Sequence, residues 1–326
     1  DLNHTICQAK QVPVLISYSI GKKRFEKQLD SFDIELFNRI EKSEIQHNIP
    51  TNELPTGFNT QQPKTSHGLS HVHHFFTRRN LWVISSYIGH IRKSPLPINS
   101  KNSMIWAATG ITEGSSKLNR ERISGLPSKL AGTLYVGSTI RETNALTFLE
   151  RKISKLYAIR LQDKNNPASA LLTQSSSSRR SETQIVDYIF IDPPFGGNLM
   201  YSELNFIWEA WLRVFTNNKP EAIMNNVQHK GLVEYQGIMQ KCFDEFYQTL
   251  KSGRWMTVEF HNSQNSVWNA IQECLQRARF VIADVRVLDK QQETFKQVTT
   301  AAAVKKDLII SAYKPNGNLE ERFKLK

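Results

Sequence analysis

Asp192-Pro193-Pro194-Phe195 carries the clearest chemistry in the sequence. A carboxylate, a pair of imino acids and an aromatic ring follow the largely apolar run 186–191. The prolines remove backbone donors and fix the chain direction, so the loop is stiff and its carbonyls stay free. A carboxylate and a carbonyl can accept the two hydrogens of an exocyclic amine, and a ring can stack on the base. That set would hold a flipped-out nucleobase by its amino group. The apolar run, ended by a breaker, predicts a strand buried on both faces. Asp192 then lies at the strand's carboxyl end, where open α/β sheets place their chemistry. A structural reading stands beside this one: Asp192 caps a helix that Pro193 opens.

The continuation 196–212 reads Gly-Gly-Asn-Leu-Met-Tyr-Ser-Glu-Leu-Asn-Phe-Ile-Trp-Glu-Ala-Trp-Leu. Together with Asp-Pro-Pro-Phe it resembles the catalytic region of amino-group DNA methyltransferases. More narrowly, it resembles a bacterial group of large adenine-specific DNA methylases. The likeness is strongest over residues 173–315 and returns at residues 73–85. The resemblance implies S-adenosyl-L-methionine as cofactor, DNA as partner, and methyl transfer to the N6 amine of a flipped adenine. It makes Asp192, Pro193, Pro194 and Phe195 catalytic, with Asn198 and Tyr201 as substrate-binding candidates. In the family a polar turn before the catalytic strand borders the cofactor's adenine, which points to Gln174 and Ser175; four serines in a row equally suit a solvent loop. No metal is needed for delivery from a sulfonium. Asp at the motif's first position is more usual for adenine than for cytosine N4; RNA would use the same chemistry.

The resemblance also implies a glycine-rich cofactor loop, and none is present. Gly110, Gly114, Gly132 and Gly137 have the wrong spacing. The chain therefore reads as the carboxyl-side part of a larger enzyme. Residues 1–160 are expected to form an α+β insertion with a DNA-recognition role, and residues 161–326 the catalytic half of a methyltransferase domain. The expected fold is α/β: a partial Rossmann-like sheet of parallel strands closed by an antiparallel terminal pair. An amino-terminal segment or partner chain would carry the cofactor loop, and β-strand 187–191 would have an open edge. A DNA-binding subunit that keeps the fold without catalysis is the alternative.

Composition agrees with a nucleic-acid partner. The 326 residues carry a formal charge of +12, which favours a polyanion. Cys7, Cys242 and Cys274 are too far apart for a disulfide framework or a zinc site and suit a reducing, cytoplasmic setting. No apolar run reaches the roughly 18 residues that span a bilayer, and no signal peptide opens the chain.

The remaining elements follow from pattern. A strand at 12–18 and a hairpin turn at Gly21 precede a helix over 32–40, capped by Asp30 or Ser31. Residues 47–70 read as an irregular loop. His67, His71, His73 and His74 suggest either a metal site or a polar approach to the helix at 81–91. Lys117, Arg120, Arg122, Lys129 and Arg141 form a DNA-facing or merely solvated basic surface. Residues 133–136 suggest a strand, 144–156 a helix, and 168–173 a short strand. Residues 204–215 are helical, with Glu203 as a first-turn charge. A second helix follows Gly231, presents Tyr235, Met239 and Cys242 on one face, and stops at Gly253. Strands at 255–260, 280–288 and 308–313, with a helix through Val267, Ile271 and Leu275, complete the sheet.

Overall fold

The computed structural model describes residues 7–121, 128–163, 177, 183–262, 264–288 and 307–317. The strand expected at 168–173, and Gln174 and Ser175 with it, lie outside these residues. The chain divides into two units: residues 1–169 with 201–216, and residues 170–200 with 217–326.

The first unit is mainly helical. Strands β1 (Ile16–Ile20) and β2 (Lys23–Lys27) form an antiparallel hairpin about Gly21. Helix α1 (Ser31–Lys42) starts at Asp30, whose carboxylate accepts from Asp33 N while the Asp33 carboxylate accepts from Asp30 N. This reciprocal pair satisfies two of the helix's unpaired amides. Helix α2 (Phe58–His67) follows, then a 3-10 turn (Val72–Phe75), α3 (Arg78–Lys93), α4 (Ile98–Thr112), α5 (Ala145–Asp163) and α6 (Tyr201–Leu212). Phe75, Ile84, Ile111, Leu118, Leu134 and Ile207 are fully buried in their core. Trp211 meets Phe76 edge-on, with ring centroids 5.6 Å apart.

Two expectations fail here for the same reason: a distant side chain supplies what local sequence lacks. The irregular loop 47–70 contains α2, although its sequence is polar and includes Pro63. Its first turn is held from α6. Glu203 is buried, and its carboxylate accepts from Phe58 N at 3.3 Å, Asn59 N at 2.8 Å and Asn59 Nδ2 at 3.2 Å. A carboxylate at a helix amino terminus satisfies unpaired amides and complements the dipole. Residues 133–136 form no strand and pair with none among the described residues. The Gln62 side chain replaces one, accepting from Val136 N and donating to Val136 O, each at 3.0 Å. Helix α4 had no counterpart in the sequence reading.

The second unit is a mixed sheet with helices packed on one face. Strands β3 (Val186–Ile191), β4 (Leu250–Phe260), β5 (Val281–Leu288) and β6 (Asp307–Tyr313) lie in the order β3-β4-β6-β5. β3 and β4 are parallel; β6 runs antiparallel to both β4 and β5. This is the α/β sheet closed by an antiparallel pair that the sequence implies. Helices α7 (Leu232–Thr249) and α8 (Asn265–Arg277) bury Tyr235, Met239, Phe243, Ile271 and Leu275 against Met256, Val258, Phe260 and Ile310. Cys242 and Cys274 sit in this unit's interior, and burial pushes both thiols up to about 11.

Two details differ from expectation. Helix α7 ends at Thr249 and passes straight into β4, so Gly253 does not stop it. Gly253 lies within the strand at φ +76°, in the stretch where the β3–β4 register shifts; glycine is the residue that accepts this left-handed backbone. Nor is β3 buried on both faces. Among the described residues it is an edge strand, and Tyr188 and Phe190 are 54% and 56% exposed. Ile189 and Ile191 point the other way, into the core. The period-two geometry of a strand divides the apolar run between the two faces, and only one is covered.

Candidate active site

Asp192 to Phe195 follow β3 directly and form no helix; α6 begins only at Tyr201. The helix-cap reading of Asp192 therefore does not apply. Asp192 is exposed at the carboxyl end of β3, while Pro193 is buried and Pro194 and Phe195 are half-buried. Ile191 pairs with Val258, so Asp192 emerges beside the end of the parallel strand β4.

The loop is fixed by contacts that sequence did not reveal. Tyr235 on α7 is fully buried, and its hydroxyl donates to the Pro194 carbonyl at 2.7 Å. Asn262, just beyond β4, donates through Nδ2 to the Phe195 carbonyl at 3.0 Å. The expectation that the loop's carbonyls stay free thus fails for Pro194 and Phe195. Buried acceptors need partners, and these two have them. The Pro193 carbonyl accepts no hydrogen bond among the described residues. The Phe195 ring lies edge-on to Phe260 at 5.4 Å and His261 at 6.1 Å. His261 Nδ1 is 2.7 Å from Asp307 Oδ1, an ion-pair distance, although the ring nitrogen does not meet hydrogen-bond geometry. Asp307 is almost wholly buried at the start of β6.

Beyond Phe195 the chain turns at Gly196, where φ is +66°. A Cβ there would approach Asn262 Nδ2 and Met224 Sδ at 3.3 Å and Val267 Cγ1 at 3.4 Å. Glycine meets both the backbone and the packing requirement. The Gly196 carbonyl accepts from Met224 N at 3.2 Å, and Asn225 Nδ2 lies 3.2 Å from Met200 Sδ, so segment 222–225 closes over the loop.

The motif residues are therefore contiguous and anchored on three elements of one unit. Asn198 lies half-buried on the same loop; Tyr201 opens α6 and belongs to the first unit. Tyr235, His261, Asn262 and Asp307 were not singled out by sequence. His261 and Asn262 carried a usable signal, a polar pair directly after a β-rich run, at the sheet end where function collects. Tyr235 read as one more core residue, and nothing local marks its hydroxyl. His71, His73 and His74 cluster in the first unit with ring centroids 4.3–5.6 Å apart. Among the described residues, no group of three or more His, Cys, Asp or Glu is arranged to hold a metal ion.

No family model and no curated protein matches the chain. Among solved structures it is similar to a candidate DNA modification methylase from Thermus thermophilus, at 12% identity over 42% of this chain and 48% of that one, with a TM-score of 0.25. The same methylase complexed with S-adenosyl-L-methionine gives 12% identity, 42% and 51% coverage, and a TM-score of 0.24. A SAM-dependent methyltransferase from Methanosarcina mazei gives 12% identity, 49% and 78% coverage, and a TM-score of 0.25. The chain thus spans about half the length of the Thermus protein. Likenesses this slight leave the site to stand on its own residues.

Proposed function

We propose that the chain transfers a methyl group from S-adenosyl-L-methionine to the N6 amine of adenine in DNA, with Asp192 and its loop as the catalytic centre. The observation that carries this reading is the exposed Asp192 carboxylate on a loop anchored through Tyr235 and Asn262. An aromatic amine is a poor nucleophile because its lone pair is delocalised into the ring. Asp192 and the Pro193 carbonyl accept its two hydrogens, localise the pair and aim it at the sulfonium methyl. Positive charge grows on the nitrogen in the transition state, so a fixed carboxylate stabilises that state more than the ground state. Pro194 sets the loop's direction, and the Phe195 ring supports the base from the side. Asn198 orients the loop or the base, and Tyr201 stands as a further substrate-binding candidate. Asp at position 192 favours adenine over cytosine.

Part of this proposal is that the glycine-rich cofactor loop comes from polypeptide outside these 326 residues. The edge of β3, unpaired among the described residues, and its exposed aromatics support that part. A second reading, a DNA-binding subunit without catalysis, is favoured by one observation, the lack of any glycine-rich loop in the sequence.

Labelled S-adenosyl-L-methionine and duplex DNA, with this chain, a longer form of the protein and its Asp192→Asn variant, test the reading. Incorporation by the longer form that falls about 10²–10³-fold in the variant is expected. Incorporation that survives the substitution would remove Asp192 from the mechanism. Micromolar binding of S-adenosyl-L-methionine by this chain alone would refute the external cofactor loop.

A further inference from the structure

The first unit contains a cleft of about 350 Å³ between α3, the end of α6 and residues 48–52. Arg92, Arg213, Trp211 and Phe215 line it, with Asn48 and Thr51 opposite, and no carboxylate is among its lining residues. Two arginines therefore line one polar space with no acidic residue among its walls. One nitrogen of Arg92 donates to the Trp211 carbonyl at 3.0 Å, which leaves most of its five N–H donors for another acceptor. Arg213 makes no hydrogen bond or ion pair among the described residues. Burial, and then the Arg213 charge, lower the Arg92 pKa, so the two cations repel across the cleft.

The backbone adds a second observation. Val214 N donates to Glu209 O, closing α6 with Arg213 as the left-handed residue at φ +62°. That position is usually glycine, and a long side chain there carries a conformational cost. Backbone outliers of this kind cluster at binding sites. Here the outlier places a second arginine in the lining of the cleft.

We propose that this cleft binds a phosphate group, clamped between Arg92 and Arg213. Arginine forks match phosphate oxygens two at a time, and a bound anion offsets the repulsion between the pair. The phosphate belongs either to a free nucleotide, for which the cleft has room, or to the DNA backbone.

Arg213→Gly separates binding from folding, because it deletes the charge while supplying the residue the helix end prefers. Calorimetric titration with inorganic phosphate and with adenosine monophosphate, and anisotropy with a duplex oligonucleotide over a salt series, are run on the full chain and the variant. At least a tenfold weaker affinity for one probe, with a melting temperature unchanged or raised, is expected. Loss confined to phosphate and mononucleotide identifies a free nucleotide. Loss confined to duplex DNA, with a salt slope reduced by about 1, identifies a backbone contact. Arg213→Lys should retain part of the affinity. Equal affinities for all three probes in parent and Arg213→Gly overturn the proposal.

Discussion

The Tyr235 hydroxyl and the Pro194 carbonyl are 2.7 Å apart, a hydrogen bond between the helix packed on the sheet and the loop that carries Asp192. Tyr235 is fully buried, so water cannot replace its hydroxyl. Removing that hydroxyl leaves the carbonyl of a stiff loop without a donor, a loss of roughly 1–3 kcal/mol. Tyr235→Phe keeps the ring and its packing. Denaturant titration should show a stability loss of that size, and transferase assays on a form carrying the proposed cofactor loop should show a lower kcat with little change in KM. A variant matching its parent in both measurements would mean that the hydroxyl does not position the loop.

Glu203 should matter to folding more than its place in the motif's continuation suggests. Its carboxylate takes three hydrogen bonds from the first turn of α2, and both it and Asn59 are buried. Glu203→Ala leaves those amides unpaired and should cost about 2–4 kcal/mol in urea titrations, with Glu203→Gln losing less. Hydrogen exchange should quicken first at Phe58 and Asn59. Retention of both stability and protection would show that α2 stands without the carboxylate.

These residues also mark what the sequence could and could not reveal. The second unit was legible because its elements follow local period: β4, β5 and β6 alternate, α7 and α8 carry apolar stripes, and the Asp192 loop is announced by its prolines. In the first unit α1, α3, α5 and α6 were legible for the same reason. Helix α2 was not, since a polar decapeptide with Pro63 becomes a helix only when Glu203, 144 positions from Asn59, meets its amides. The support of the site was hidden likewise: Tyr235 and Pro194 are 41 residues apart, and Asn262 and Phe195 are 67. Local pattern reports periodicity, not the far partner of a polar group.

Acid should loosen the first unit between about pH 6.5 and 4. Burial, followed by repulsion from His73 and His71, lowers the His74 pKa to about 4, and burial likewise lowers that of His73. His74 Nδ1 also accepts from His71 N at 3.3 Å, a contact that protonation of Nδ1 abolishes. The unfolded imidazole titrates near 6.5, so below that pH the unfolded state binds more protons and stability falls with pH. The loss levels off once pH drops below the folded value. After allowing for partial exposure, His74 contributes about 1–2 kcal/mol across this window. His74→Phe should flatten the fall in melting temperature between pH 6.5 and 4; an unchanged slope would exclude His74 as its cause.

The side of β3 that has no strand partner among the described residues should make the chain self-associate. Tyr188, Trp255, Tyr313 and Val281 are register partners across the four strands, so they stand in a row on one face. Tyr188, Trp255 and Val281 are each 45–54% exposed, Phe190 is 56% exposed in the next row, and the Trp255 and Tyr313 rings are 4.9 Å apart. An apolar face ending in an unpaired edge is a template for another strand. One local guard exists: Asp187, whose pKa is lowered by its hydrogen bond to Lys251 and by the charges of Lys251 and Arg254, keeps a charge beside the edge. It sits at the start of the strand and leaves Tyr188 and Phe190 open. Phe190→Lys adds a charge at an already solvated position, so stability should change by less than about 0.5 kcal/mol. Sedimentation velocity over a concentration series should show association in the parent and its suppression in the variant. A parent that stays monomeric up to about 100 μM, well into the μM–mM range where exposed edges associate, would mean that the aromatic row and the β3 edge are not adhesive.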